Sequence, residues 1–240
     1  MSRYAKHHEL LVKLSQVGAI KKDGTRLKIH DAHPDLEPAP VYFNLRTPRN
    51  PKPGPLTENL LAEIGILLRK EVLKANVPYA WCAGIPNAGT DIAKWFSRIH
   101  LQIPMLKLRK DMVAEKVCSI SLDALLEGTD PFLARAIRRG MPGLLLDNVI
   151  GAATSKFPWL DCFKMHRINI SALVVVFDRE EGGVEEIKRR YKIPVVRLYQ
   201  YLPALRALLN SGELPPDTYE AALRFRRKVI ALTVPSEARV

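Results

Sequence analysis

The sequence predicts an α/β fold: a central, mostly parallel sheet flanked by helices, with a small N-terminal lobe. Three observations predict it. From about Thr57 onward, short apolar runs alternate with amphipathic helical segments. The runs are apolar throughout, as strands covered on both faces are, and 172–177 reads Ala-Leu-Val-Val-Val-Phe. The 240 residues are 47% hydrophobic and 26% charged, enough to build a sizeable core and too apolar for wholesale disorder.

The elements follow in order. Residues 5–17 read as a helix that Gly18 stops. The proline-rich stretch 34–55 surrounds Val41-Tyr42-Phe43-Asn44-Leu45-Arg46, a short strand by its aromatic and apolar content. Thr57 is a helix N-cap, and Leu60, Leu61, Ile64, Leu67, Leu68 and Val72 mark one helical face. The alternating units then run strand 79–83, helix 90–99, strand 104–108, helix 132–139, strand 143–146, helix 155–165, strand 172–177, helix 184–191 and strand 195–198. Two C-terminal helices follow, broken by Gly212 and Pro215-Pro216. This divides the chain into an N-terminal lobe over 1–56, an α/β core over 57–212 and a C-terminal helix and tail over 213–240.

Composition narrows the function classes. The formal charge of +12 favours anionic partners such as phosphates, and also suits nucleic acid. The densest basic clusters, at 138–139, 188–190 and 224–228, fall on predicted helices and read as solvated faces, and no nucleic-acid-binding signature accompanies them. Cys82, Cys118 and Cys162 are odd in number and far apart, which argues against a disulfide framework or a zinc site and for a reducing compartment. The first residues have no apolar signal core, and 172–177 is too short to span a bilayer, so the expected location is cytosolic. His7-His8 and His30…His33 lack ligand spacing and are expected on the surface; Trp81, Trp95 and Trp159 are expected in the core.

In parallel sheets, ligands bind beyond the carboxyl ends of the strands. Three strand-to-helix turns are unusual. Gly84-Ile85-Pro86-Asn87-Ala88-Gly89-Thr90 exposes backbone N–H groups ahead of a helix N-terminus, an arrangement that suits a phosphate but is also a common turn. In Asp147-Asn148-Val149-Ile150-Gly151-Ala152-Ala153-Thr154-Ser155, an acid and an amide end a buried strand, small residues follow, and two hydroxyls open a helix. Asp147 there suits sugar hydroxyls or a hydrated magnesium ion, or simply terminates the strand. In Asp178-Arg179-Glu180-Glu181-Gly182-Gly183, a strand runs into a charge cluster and a glycine pair, where Arg179 suits a carboxylate clamp or a local ion pair.

Taken together and in this order, these segments resemble orotate phosphoribosyltransferase, a type I phosphoribosyltransferase, from about Val17 to Leu209. Val17-Gly18-Ala19-Ile20 with Leu27-Lys28 is similar to the family's opening, and 40–46 to its base-side strand. Residues 84–89 are similar to its diphosphate loop, Arg109-Lys110 to the start of its mobile catalytic loop, and 145–155 to its phosphoribosyl diphosphate motif. Asp178 to Gly183 is the most specific match.

The resemblance implies transfer of phosphoribosyl from phosphoribosyl diphosphate to orotate or a related base in pyrimidine nucleotide synthesis. Pyrophosphate is released, and Mg2+ accompanies the substrate. It implies Arg109, Lys110 and Lys116 as cations for pyrophosphate, Asn87 and Ala88 in the diphosphate loop, and Asp147 and Asn148 at the ribose hydroxyls, with Asp147 also toward the metal. It places Gly151, Ala152, Ala153, Thr154 and Ser155 around the 5′-phosphate, Lys28, Tyr42 and Phe43 at the base, and Arg179 at its carboxylate. It further implies a homodimer that shares the mobile loop.

The sequence departs from the family's pattern in three places. Asn148 replaces the second acid of the motif. Gly151 and Ala153 stand for its threonine and central glycine, and an alanine there is strained if that backbone takes a positive φ. Val113 and Glu115 stand where the mobile loop has a lysine and a histidine. These departures keep a rival in view, a non-catalytic regulator of this fold that binds nucleotide or phosphoribosyl diphosphate, or RNA through its basic surface.

Overall fold

The computed structural model of the chain describes residues 3–99, 102–114, 117–118 and 120–233, and side chains from 5 to 99, 102 to 112 and 120 to 233. Its N-terminal part comprises α1 (Arg3–Gln16), β1 (Ile20–Lys21), α2 (Ile29–Ala32), β2 (Tyr42–Phe43) and α3 (Glu58–Ala75). Next come β3 (Trp81–Gly84), α4 (Ala88–Ile99), β4 (Met105–Leu106), a 3-10 turn (Lys110–Met112), β5 (Val113–Ala114) and β6 (Val117–Cys118). The second half holds α5 (Leu122–Leu125), α6 (Pro131–Arg138), β7 (Gly143–Ile150), α7 (Phe157–Met165), β8 (Ile170–Asp178), α8 (Gly183–Tyr191), β9 (Val195–Gln200), α9 (Tyr201–Asn210) and α10 (Pro216–Thr233).

Five of the described strands form one sheet in the order β4-β3-β7-β8-β9, every neighbouring pair parallel. This is the predicted architecture. Leu144, Leu146, Ala172, Val174 and Val176 face α3, α4 and α9 on one side. Leu145, Leu173 and Val175 face α6, α7 and α8 on the other. The strands are apolar throughout because both of their faces are covered. The Thr57 hydroxyl accepts the Leu60 N–H at 3.3 Å and caps α3, as its sequence position predicts.

Several expectations are revised. The strand predicted over 143–146 runs on to Ile150, because Val149 and Ile150 keep pairing with Phe177 and Asp178 of β8. Asp147 and Asn148 therefore lie within a strand rather than at its end. Leu10, Leu11 and Leu14 of α1 enter the main core. In the hood, β1 pairs antiparallel with β2.

His30 is buried rather than on the surface, accepting the Leu27 N–H at 2.7 Å and bonding the Glu37 carbonyl at 3.0 Å. It stacks on Phe225 of α10, and Lys228 of that helix pairs with Glu37 at 3.0 Å. The basic C-terminal helix thus fastens the hood to the body. Cys82 is a buried thiol whose pKa is pushed up to about 12 by burial. Cys162 is disulfide-bonded, against expectation. No helix among the described residues is long and apolar enough to cross a membrane.

Candidate functional site

A parallel sheet brings all its carboxyl ends to one edge, and the three unusual turns meet there. The turn after β3 presses against β7, with the Ile85 N–H donating to the Leu146 carbonyl at 2.9 Å. Gly89 is needed for this approach: a Cβ there would stand 2.5 Å from the Leu146 oxygen and 3.1 Å from Asp147 Oδ1. The Pro86–Asn87 peptide is cis. Asn87 is exposed, and the buried Ala88 opens α4 at this turn.

Beside it lies a cleft of about 400 Å³ lined by Arg49, Asn50, Asn87, Thr90, Arg109 and Lys110 among others. Arg109 and Lys110 are exposed, and Arg109 lies 3.5 Å from Asp111. Arg49 and Asn50 come from the proline-rich segment. Asp91 of α4 holds that segment in place, accepting from Asn50 Nδ2 at 2.7 Å and the Thr47 hydroxyl at 2.9 Å. The cleft therefore joins the 84–90 turn to the start of the predicted mobile loop. Lys116, a predicted catalytic cation, lies outside the described residues, as does Glu115; the Val113 side chain is likewise outside them.

The second turn is built differently. Asp147 is buried, and its Oδ1 accepts the Asn148 N–H at 2.7 Å while its Oδ2 is ion-paired with Lys156. Lys156 is buried too, and donates to Ser155 Oγ at 3.1 Å. Asn148 is half-buried, with its Oδ1 accepting the Val149 N–H at 2.8 Å. Gly151 and Ala152 are half-buried, and Thr154 and Ser155 are exposed ahead of α7. Ala153 is buried at φ +61°, so alanine occupies the left-handed conformation that glycine favours.

At the third turn, Arg179 donates from Nε and Nη2 to the two oxygens of Glu181, at 2.8 and 2.5 Å. Gly151 makes room for this pair: a Cβ there would stand 2.3 Å from Glu181 Oε2. Asp178 accepts the Glu180 N–H at 2.8 Å and pairs with Arg197 at 2.7 Å. Burial pushes the Asp178 carboxyl above its ordinary range, with these two partners opposing the shift. Glu180 accepts the Leu202 N–H at the start of α9, and its carbonyl accepts from Arg226 of α10 at 2.9 Å.

The base-side residues are divided. Tyr42 is half-buried, its hydroxyl accepting from Arg46 at 2.6 Å. The Phe43 ring lies inside the core, stacked on Phe177 at 4.0 Å between centroids. Lys28 is exposed at the start of α2 in the hood.

The residues do not fit a metal held by the protein at Asp147. That carboxylate is already engaged by Lys156 and a backbone N–H, and the described residues contain no group of three His, Cys, Asp or Glu that could hold an ion.

Sequence reasoning missed Arg49, Asn50 and Lys156, whereas the local ion pair read as one alternative for Arg179 is the one it makes with Glu181. Lys156 had a weak signal: a lysine in the first turn of the helix predicted from Ser155 opposes the helix dipole, which a nearby acid would offset. Arg49 and Asn50 had none.

These features define the class. The chain has the type I phosphoribosyltransferase fold, a parallel sheet flanked by helices with its turns gathered at one edge. In structure it is similar to UMP synthase of Leishmania donovani, with a TM-score of 0.69 and 15% identity over 92% of this chain and 42% of that one. It is also similar to orotate phosphoribosyltransferase of Francisella tularensis, with a TM-score of 0.61 and 17% identity over 90% and 96%. In sequence it is 22% identical over 191 residues to uridine 5′-monophosphate synthase of Bos taurus, covering 78% of this chain and 35% of that protein. The chain thus spans less than half the length of either synthase. No family model matches it.

Proposed function

We propose that the chain transfers a phosphoribosyl group from phosphoribosyl diphosphate to orotate or a related base, releasing pyrophosphate, in pyrimidine nucleotide synthesis. The observation that carries this reading is the cleft that gathers Arg49, Arg109 and Lys110 around the 84–90 turn, beside Asp147 at the same sheet edge.

In the reaction the bond from ribose C1 to the diphosphate oxygen breaks, and a bond from C1 to a base nitrogen forms. Negative charge grows on the leaving diphosphate. Arg49, Arg109 and Lys110 meet that charge, and Asn87 and Ala88 offer backbone N–H groups at the α4 N-terminus. Magnesium arrives chelated by the diphosphate, as part of the substrate. Asp147 and Asn148 take the ribose hydroxyls, and 151–155 take the 5′-phosphate through backbone N–H groups and the Thr154 and Ser155 hydroxyls. Tyr42 and Lys28 stand on the base side, and Arg179 meets a carboxylate of the base by exchanging it for Glu181. The working species is a homodimer in which the loop carrying Lys116 completes a partner's site.

A second reading has its own support. Asp147 and Arg179 are both ion-paired within the chain, as suits a protein that binds nucleotide or phosphoribosyl diphosphate without turning it over. A magnesium-dependent assay of orotate consumption with phosphoribosyl diphosphate separates the two, run beside Arg179→Ala and Asp147→Ala. Turnover lost in both variants supports the transferase. Binding of phosphoribosyl diphosphate without turnover of any pyrimidine base puts the regulator first.

A further inference from the structure

Lys156 is the feature of this edge that the proposed chemistry leaves without a role. Its side chain is 6% exposed and that of Asp147 is 7% exposed, so both charges have left water together. A buried ammonium is tolerated only with a close counter-charge, and at the N-cap of α7 it also faces the positive end of the helix dipole. Both penalties are offset by Asp147. Each carboxylate oxygen is held in turn, one by the Asn148 N–H and the other by the ammonium, with lone pairs left for further donors. Its chain neighbour Asn148 adds no charge, so the pair is neutral without any ion from solution.

We infer that Lys156 occupies the cation seat of Asp147. It is a positioning residue that fixes the carboxylate for the ribose end of a ligand and keeps divalent metal away from it. Service to a ribose rests on the phosphoribosyl reading; the exclusion of metal does not.

The test begins with Mn2+ alone, titrated into the full chain by calorimetry. The variants are wild type, Lys156→Met, and the neutral pair Asp147→Asn/Lys156→Met, which leaves no buried charge unmatched. Wild type and the neutral pair should give the same isotherm. Lys156→Met should gain Mn2+ binding that wild type lacks, because its freed carboxylate is a ligand suited to a hard cation. Its melting temperature should rise on adding Mn2+, and the neutral pair should lose both effects. A wild-type site that the neutral pair lacks overturns the inference, and so does a folded Lys156→Met that gains no metal. Should Lys156→Met fail to fold, Lys156→Gln, whose amide still donates to Asp147, takes its place, and the same gain or absence of Mn2+ binding decides.

Ribose 5-phosphate is the second probe. Wild type should bind it equally in magnesium and in EDTA, whereas Lys156→Met should need magnesium. Tighter wild-type binding in magnesium counts against the inference. No binding of ribose 5-phosphate to any variant, with the Mn2+ results as expected, sinks the phosphoribosyl reading and leaves the role of Lys156 standing.

Discussion

The turns after β3 and β7 lie side by side at one sheet edge, yet they are finished in opposite ways. The first opens on a cleft lined by Arg49, Arg109 and Lys110, of which all three are exposed. The second is closed by the chain's own charges, Lys156 on Asp147 and Glu181 on Arg179, with Gly151 making room. An exposed cation stays hydrated at little cost until an anion arrives, whereas a buried charge has to find its counter-ion within the fold. The first turn thus leaves its cations open to solvent. The second has neutralised itself and offers mainly hydroxyls and backbone groups.

The largest expected effect breaks the closed side. Lys156→Met leaves Asp147 buried without its partner and should cost about 3–5 kcal/mol in urea unfolding. Adding Asp147→Asn should return most of that loss. If the two losses simply add, the residues are not coupled and the closed turn is misread.

The open side is tested next. Replacing Arg109 and Lys110 together by alanine should lower kcat/KM for phosphoribosyl transfer by about 100-fold or more, the scale of losing a group aimed at transition-state charge. The urea midpoint should hold, because both side chains are exposed. An unchanged rate would take the diphosphate out of this cleft.

Gly89→Ala sharpens the contact between the two turns. Its new methyl meets the Leu146 carbonyl and should cost about 1–3 kcal/mol, read as a lower melting temperature. The smallest effect is a gain. Ala153→Gly relieves a left-handed alanine and should stabilise by about 1 kcal/mol, raising the melting temperature by a few degrees. A fall instead would mean that the alanine methyl's packing outweighs the backbone strain.

Much of the fold was legible in the chain, and the site only partly. The alternation of strands and helices, the Thr57 cap and the three turns could be read because each depends on neighbours a few residues away. The length of β7 could not, since Asp147 to Ile150 look like a strand end and become strand by pairing with β8. Phe43 illustrates the limit at the site: its neighbours mark a strand, but only the packing of β2 sends its ring to Phe177. The burial of His30 likewise depends on α10, almost the whole chain away.

By itself the sequence determined the fold class, the order of the elements and the three turns at which a phosphate-bearing ligand would be sought, because periodicity and turn chemistry are local properties. The tertiary structure alone decided which charges at that edge stay exposed and which are matched inside the protein. That choice depends on burial and on distances of a few ångströms between residues that no local pattern brings together. It set Arg49 beside Arg109 and Lys110, and it set Lys156 against Asp147.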